Sequence, residues 1–405
     1  MSITYGSVDE GKTDRHEVPT DQYSERAAVI NILSLFTGTG MLSLPYAAAR
    51  AGWLCGILIL AAVQGTFMYT LYILALSFEA SGASSYAELG EIALSARKLI
   101  TLSVFIEMML ALTSLEVSIA LNCHRIFSAP NLLWLCLSTI VSLSLSLNKR
   151  WISAASTIGV FMITIILAAM IASGYNNNAF KEYKMCDAAG LEISLGLTLF
   201  CCGGHAAFSS IYNNMGDKNN VVLKRVICQA ALLLFAMYST IMLVGYFLYR
   251  EQTAMPITLN IGNTDLDTQI LQAPRRFALF LRVVAAIAIV VNLQVTIPLL
   301  VFPLRALLMY AFMGVERVAE ENLLNNIAAA AVVLLTAACL AEYFSTSFAP
   351  LCAAIGLLST TINSVLLPLL FYHRLKGEAA VRDIKFHSFI AIVTLVAAGI
   401  GLRHI

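Results

Sequence analysis

The chain has 405 residues, of which 59% are hydrophobic and only 12% charged, and its formal net charge is +1. Soluble domains are closer to about 45–50% apolar and 25% charged, so a water-soluble globule and an intrinsically disordered chain are both excluded, and the near-neutral charge removes nucleic acid as a partner. A polytopic membrane protein remains, with the lipid bilayer as its principal surroundings.

Residues 1–25 form an acidic leader, with six acids (Asp9, Glu10, Asp14, Glu17, Asp21, Glu25) against two bases (Lys12, Arg15). It contains no apolar run of signal-peptide type, so it is expected to be a disordered cytoplasmic tail. Beyond it, at about 20 apolar residues per helical crossing, eleven windows stand out, near 27–48, 53–78, 99–127, 131–147, 152–172, 191–212, 225–249, 275–312, 324–343, 349–371 and 385–402. They are continuous apolar runs, which excludes the alternating pattern of a transmembrane barrel. With the N-terminus inside, sixteen Lys and Arg fall in cytoplasmic segments and eight outside. The positive-inside rule therefore predicts a cytoplasmic N-terminus and an outer C-terminus, in a plasma, vacuolar or lysosomal membrane.

The first window places Thr37-Gly38-Thr39-Gly40 at mid-depth. Glycine is a poor helix former, and unwound backbone is tolerated in a membrane only where protein or a cavity surrounds it. The third window carries two carboxylates, Glu107 and Glu116. An intramembrane acid is a functional candidate by default, so both are candidate proton sites. Nine residues apart on a helix, they project to opposed faces, and Arg282 of the eighth window is the one base deep enough to partner either. The sixth window is interrupted at Gly203-Gly204-His205. An imidazole titrates near about 6.5 in water, which suits His205 either to a proton-linked gate or to a hydrogen-bonded structural role. In the eighth window Asn292 and Thr296 share a helix face and offer oxygens to a hard cation, while Pro298 and Pro303 predict a kink. The nine cysteines lie mostly in apolar runs, without metal spacing, and yield no disulfide framework.

Interruptions in windows one and six suggest two corresponding halves, about 26–172 and 191–371, followed by an extra helix at about 385–402 within a transporter domain of 26–402. In secondary transporters the substrate sits at such breaks. The N–H groups of Gly38, Thr39 and Gly40 would take a carboxylate, and carbonyls near Gly203 and Gly204 an amine.

Three motifs carry a family resemblance. Gly38-x-Gly40-Met-Leu-x-Leu-Pro45-Tyr46-Ala47 resembles the first-helix signature of the amino acid/auxin permease family. Gly204-His205-Ala-x-Phe208-x-x-Ile211-Tyr212-x-x-Met215 resembles its sixth-helix motif, closest there to vesicular inhibitory and proton-coupled amino acid transporters. Thr296-Ile-Pro298-x-x-x-Phe302-Pro303-x-Arg305 is similar to the sodium-coupled neutral amino acid branch. The resemblance covers roughly residues 26–402. It implies an all-α, leucine-transporter-like fold of five plus five helices with an eleventh appended. It also implies secondary active transport of amino acids, neutral ones first, coupled to protons or sodium by alternating access, with no other cofactor.

Two departures bear on this reading. Ser34 stands where the sodium-coupled branch usually has Asn, which weakens a possible sodium site at Ser34 and Thr296 and favours protons. Ser209-Ser210 stands where the sixth-helix motif usually has proline. No pore-loop repeat of a channel and no catalytic motif of an enzyme is present. The alternative is a transport-deficient amino acid receptor with the same fold, signalling through the acidic tail.

Overall fold

The computed structural model describes residues 23–146, 150–174, 183–263, 275–313, 323–377 and 383–403. The acidic tail up to residue 22, much of the two longest outer segments (175–182 and 264–274), and Lys149, Lys181, Arg317 and Arg382 of the charge count lie outside them.

The described chain is helical, and the one β-bridge pairs Tyr23 with Met215. The helices are α1 (Glu25–Phe36), α2 (Thr39–Ala51), α3 (Trp53–Ser81), α4 (Tyr86–Leu94), α5 (Arg97–Phe127), α6 (Asn131–Ser146), α7 (Arg150–Gly174), α8 (Leu191–Cys202), α9 (His205–Asn214), α10 (Asn220–Tyr249), α11 (Arg275–Met313), α12 (Leu323–Phe344), α13 (Phe348–Lys376) and α14 (Ile384–Gly401). Among the described residues eight helical stretches are long and apolar enough to cross a membrane. The α1–α2 pair, bent by 58°, makes a ninth, and Asn131–Ser146 and Phe161–Ser173 are shorter apolar helices. Every apolar window of the sequence falls on one of these elements. The eighth runs as one helix with both prolines inside it.

The two interruptions differ in kind. Between α1 and α2 the backbone of Gly38 is extended (φ −121°, ψ −156°) and the axis turns sharply. Between α8 and α9, Gly203 is extended and Gly204 takes φ +147°, a conformation open to glycine but not to residues with a Cβ. Here Ala188–Asn214 still reads through as one span. Both interruptions lie at the centre of the bundle, because α2 packs on α8 and α10, and α11 packs on α5 and α7.

At one end of the bundle, Tyr23 N–H donates to Asn214 O at 2.7 Å, Gly216 N–H donates to Tyr23 O at 3.2 Å, and Glu25 pairs with Arg225 at 3.2 Å. The start of α1 is thereby fastened to the end of α9 and the start of α10. At the other end a disulfide joins Cys55, at the start of α3, to Cys186. This corrects the sequence expectation of no legible disulfide. Cys55 opens an apolar helix, where a cysteine passes for a small hydrophobe. Its pairing depends on the 183–190 segment folding back, as Trp53 and Leu54 N–H do by bonding Lys184 O and Met185 O.

Candidate functional site

A cavity of about 150 Å³ opens between the two interruptions. A single water occupies roughly 10–15 Å³ by the same measure, so the space holds on the order of ten waters or one small solute. Its walls come from α1 (Ser34, Leu35, Phe36), the first break and α2 (Gly38, Thr39, Gly40), and α5 (Glu107, Met108, Ala111, Ser114, Leu115). The rest comes from the second break, from Thr296, Leu299 and Leu300 of α11, and from Ile355 and Thr360 of α13.

The helix ends give the cavity its polarity. α2 begins there, and the first N–H groups of a helix have no intrahelical partner and carry the positive end of its dipole. Thr39 and Gly40 present theirs. Gly38 does not: its N–H donates to Phe36 O at 3.2 Å, which corrects the expectation that all three amides are free. Gly204 O accepts from Ala207 N–H at 3.1 Å, which occupies one of its two lone pairs. The C-terminal ends of α1 and α8 supply the negative dipole ends.

Glycine is required here by space as well as by conformation. A Cβ on Gly40 would lie 2.5 Å from Cys201 Cα, so α2 and α8 meet backbone to backbone. A Cβ on Gly38 would meet nothing within 4 Å; it would project into the cavity.

Tyr238 of α10, which sequence reasoning passed over, ties the two breaks together. Its buried hydroxyl lies 2.5 Å from Phe36 O and 3.3 Å from Cys201 O, so one donor serves the final turns of both α1 and α8. Its signal in the sequence is absent, since Tyr is unexceptional in a spanning helix. Removing that hydroxyl (Y238F) strands buried carbonyls, at a cost of about 1–3 kcal/mol. A lower Tm, with weaker substrate binding, is the expected outcome of thermal-shift and uptake measurements.

The other expected site residues sort by position. Ser34, Thr296 and Glu107 line the cavity, although Thr296 Oγ1 donates to Asn292 O at 2.8 Å. Asn292 lies outside the lining, buried, with its amide N and O unpartnered. Thr37 turns its hydroxyl to Ser34 O at 3.3 Å. His205 also points away from the cavity: its Nε2 lies 3.0 Å from both Thr70 Oγ1 and Phe67 O, and its ring packs edge-on against Phe36 and Phe67. Its location therefore suits the structural role. The two acids face opposite ways, as nine helical residues require. Glu107 reaches the cavity, whereas Glu116 is buried outside it. Arg282 partners neither; it donates to Gly262 O at 3.1 and 3.2 Å. Ser114, a missed lining residue, shares a hydrogen bond of 3.2 Å with Thr39 and so fixes the start of α2 on α5. Glu107, Ala111 and Ser114 recur at i, i+4 and i+7, the one signal that could have found that face.

Known proteins resemble the chain in family and in fold. The family described as "Transmembrane amino acid transporter protein" matches residues 21–404. The Arabidopsis thaliana protein named amino acid transporter AVT1J is 26% identical over 400 residues, spanning 93% of this chain and 86% of its own length. Amino acid transporter ANT1 of the same plant is 24% identical, across 71% of this chain and 68% of its own. Among solved structures, MhsT in complex with L-phenylalanine superposes with a TM-score of 0.54 at 14% identity, covering 93% of this chain and 99% of its own. The inward-facing conformation of Mhp1 superposes at 0.61 and 12% identity, covering 95% and 90%. At such identity the likeness is one of fold, and the fold is leucine-transporter-like.

Proposed function

Because the chain belongs to the transmembrane amino acid transporter family, we propose that it moves neutral amino acids across a membrane by alternating access at this cavity, driven by a coupled proton. The observation that carries the reading is a single cavity walled by both interrupted helices. The free N–H groups at the start of α2 would take the substrate carboxylate. Glu107 and the ends of α1 and α8 would face its ammonium. Neutral side chains fit the remaining wall, which is apolar: Phe36, Met108, Leu115, Leu299, Leu300 and Ile355 line it, and Glu107 is its one charged residue among those described. Protons are favoured over sodium because the cavity offers a carboxylate, Glu107, and because Ser34 stands where the sodium-coupled branch usually has Asn.

The paired interruptions support a first repeat at about 26–172 and a second at about 191–371, with α14 appended. The inner and outer faces follow from chemistry as well as charge. Disulfides persist in oxidising compartments, so the Cys55–Cys186 end faces outward or into a lumen, and the Glu25–Arg225 end faces the cytoplasm. In sealed right-side-out vesicles a membrane-impermeant reductant should therefore open the disulfide, as seen by thiol labelling of Cys186. Failure to reach it there, with success in inverted vesicles, reverses the orientation.

The central test is purified protein in liposomes, offered twenty labelled L-amino acids one at a time under imposed proton or sodium gradients. Uptake of none refutes transport; accumulation driven by sodium alone refutes proton coupling.

A further inference from the structure

Glu107 does not stand alone in the cavity wall. Its Oε2 accepts a hydrogen bond from Asn363 Nδ2 of α13 at 2.8 Å. The same amide donates to Ser103 O, one turn earlier on α5, at 3.2 Å, and Ser103 Oγ donates back to Asn363 Oδ1 at 2.8 Å. Asn363 is fully buried, as is Glu107 to within 7%. Its side chain is therefore committed to two points on α5, one of them the cavity carboxylate.

The backbone of Asn363 is committed elsewhere, for a reason visible in the sequence. Over Ile362–Leu366 the helix widens into a π turn, and Leu367 N–H bonds Ile362 O, five residues back. In that register the donor for Asn363 O would be residue 368. It is Pro368, which has no N–H. Asn363 O instead takes the hydroxyl of Tyr86, at 2.5 Å. Tyr86 opens α4, the short helix outside the span set, and its ring packs edge-on against Phe371 of α13. A like segment, Gly356–Thr360, directly precedes it, and π segments inside α-helices recur at functional sites. The Ile362–Leu366 turn leaves one residue holding the cavity acid by its side chain and α4 by its carbonyl.

We propose, on the reading of the cavity as the substrate site, that Asn363 is a positioning residue that aims Glu107 into the cavity and passes the charge state of Glu107 to α4 at the cytoplasmic end. A hydrogen bond to an ionised carboxylate is about twice as strong as one to a neutral group. When a proton neutralises Glu107, or a substrate ammonium competes for its oxygens and draws its charge into the cavity, the hold on Asn363 slackens. The π turn, which has no fixed donor at this position, yields first, and Tyr86 loosens with it. The titratable group facing Glu107 among the described residues is that same Tyr86 hydroxyl, and no Lys or Arg lines the cavity.

The test uses the full-length protein in lipid nanodiscs and liposomes, with whichever of the twenty labelled L-amino acids the wild type takes up fastest. Hydrogen exchange over residues 86–94 is followed with and without that amino acid. In the wild type, saturating substrate should speed this exchange about threefold or more, the scale of one lost neutral hydrogen bond. The N363A variant, deprived of a charge-assisted bond, should raise KM about tenfold or more and show fast exchange that no longer responds to substrate. The Y86F variant does not touch the cavity. It should keep KM within about twofold while also losing the response, since only the link of about one hydrogen bond is cut. A purely structural role for Asn363 would not separate the two variants in this way. Wild-type KM in N363A together with an intact substrate response in Y86F overturns the proposal. Should the wild type itself take up no amino acid, it is the substrate-site reading that has failed.

Discussion

A G38V variant is expected to fold, reach the membrane and fail to take up substrate. A Cβ at Gly38 meets nothing within 4 Å, and the backbone there is extended with negative φ, so a branched side chain enters without strain. What it enters is the cavity. Forcing a ligand against added methyl groups costs about 1–3 kcal/mol when neighbours can shift. Here the floor is helix backbone, so uptake should fall by about 100-fold, the upper end of that range. Thermal stability should stay near that of the wild type, which separates loss of site from loss of fold. Gly204 provides the contrast. Its φ is +147°, and a Cβ there would lie 3.2 Å from the ring of Phe36, which leaves no unstrained place for valine. G204V should therefore lose both stability and uptake. Wild-type uptake by G38V would falsify the placement of substrate at the first break.

The second large effect concerns the driving ion. Each pH unit across the membrane supplies about 1.4 kcal/mol per proton, enough for roughly tenfold accumulation at one proton per substrate. Replacing Glu107 by Gln keeps the shape and a hydrogen bond to Asn363 while removing the proton site. E107Q should therefore lose accumulation driven by a proton gradient, while still exchanging labelled for unlabelled substrate at equal pH. The control is E116Q. Glu116 is as deeply buried, but it lies outside the cavity, and gradient-driven uptake should survive its neutralisation. If E116Q abolishes coupling and E107Q preserves it, the proton site has been assigned to the wrong face of α5.

Both predictions depend on how the site was found. Gly38, Gly40, Gly203 and Gly204 were legible because each violates the apolar helical pattern around it, and a violation in hydrocarbon has few explanations. Glu107 was legible as a charge at depth. The sequence could not rank it above Glu116, since a helix apolar on all sides does not say which face is inward. His205 shows the limit in the other direction. Its place in the second break marked it as a site residue, yet the +147° turn at Gly204 directs the ring toward Thr70 and Phe67, away from the cavity. Tyr238 carried no signal, and Asn363 only the proline five residues on. Each matters because of a carbonyl: for Tyr238, those of Phe36 and Cys201 on other helices, and for Asn363 its own, left over by a proline five residues on.

By itself, then, the sequence determined that this protein lives in a membrane as a helical bundle, where its helices run, and that two of them break. These are local properties, set by hydropathy along about 20 residues and by glycine conformation. Tertiary structure decided which faces meet, which of two equal carboxylates reaches the cavity, and which cysteine pairs with Cys186. Between apolar helices in lipid no hydrophobic difference chooses the buried face. That choice rests on close backbone approach, as at Gly40 on Cys201, and on a few hydrogen bonds between residues as far apart in the chain as Glu107 and Asn363.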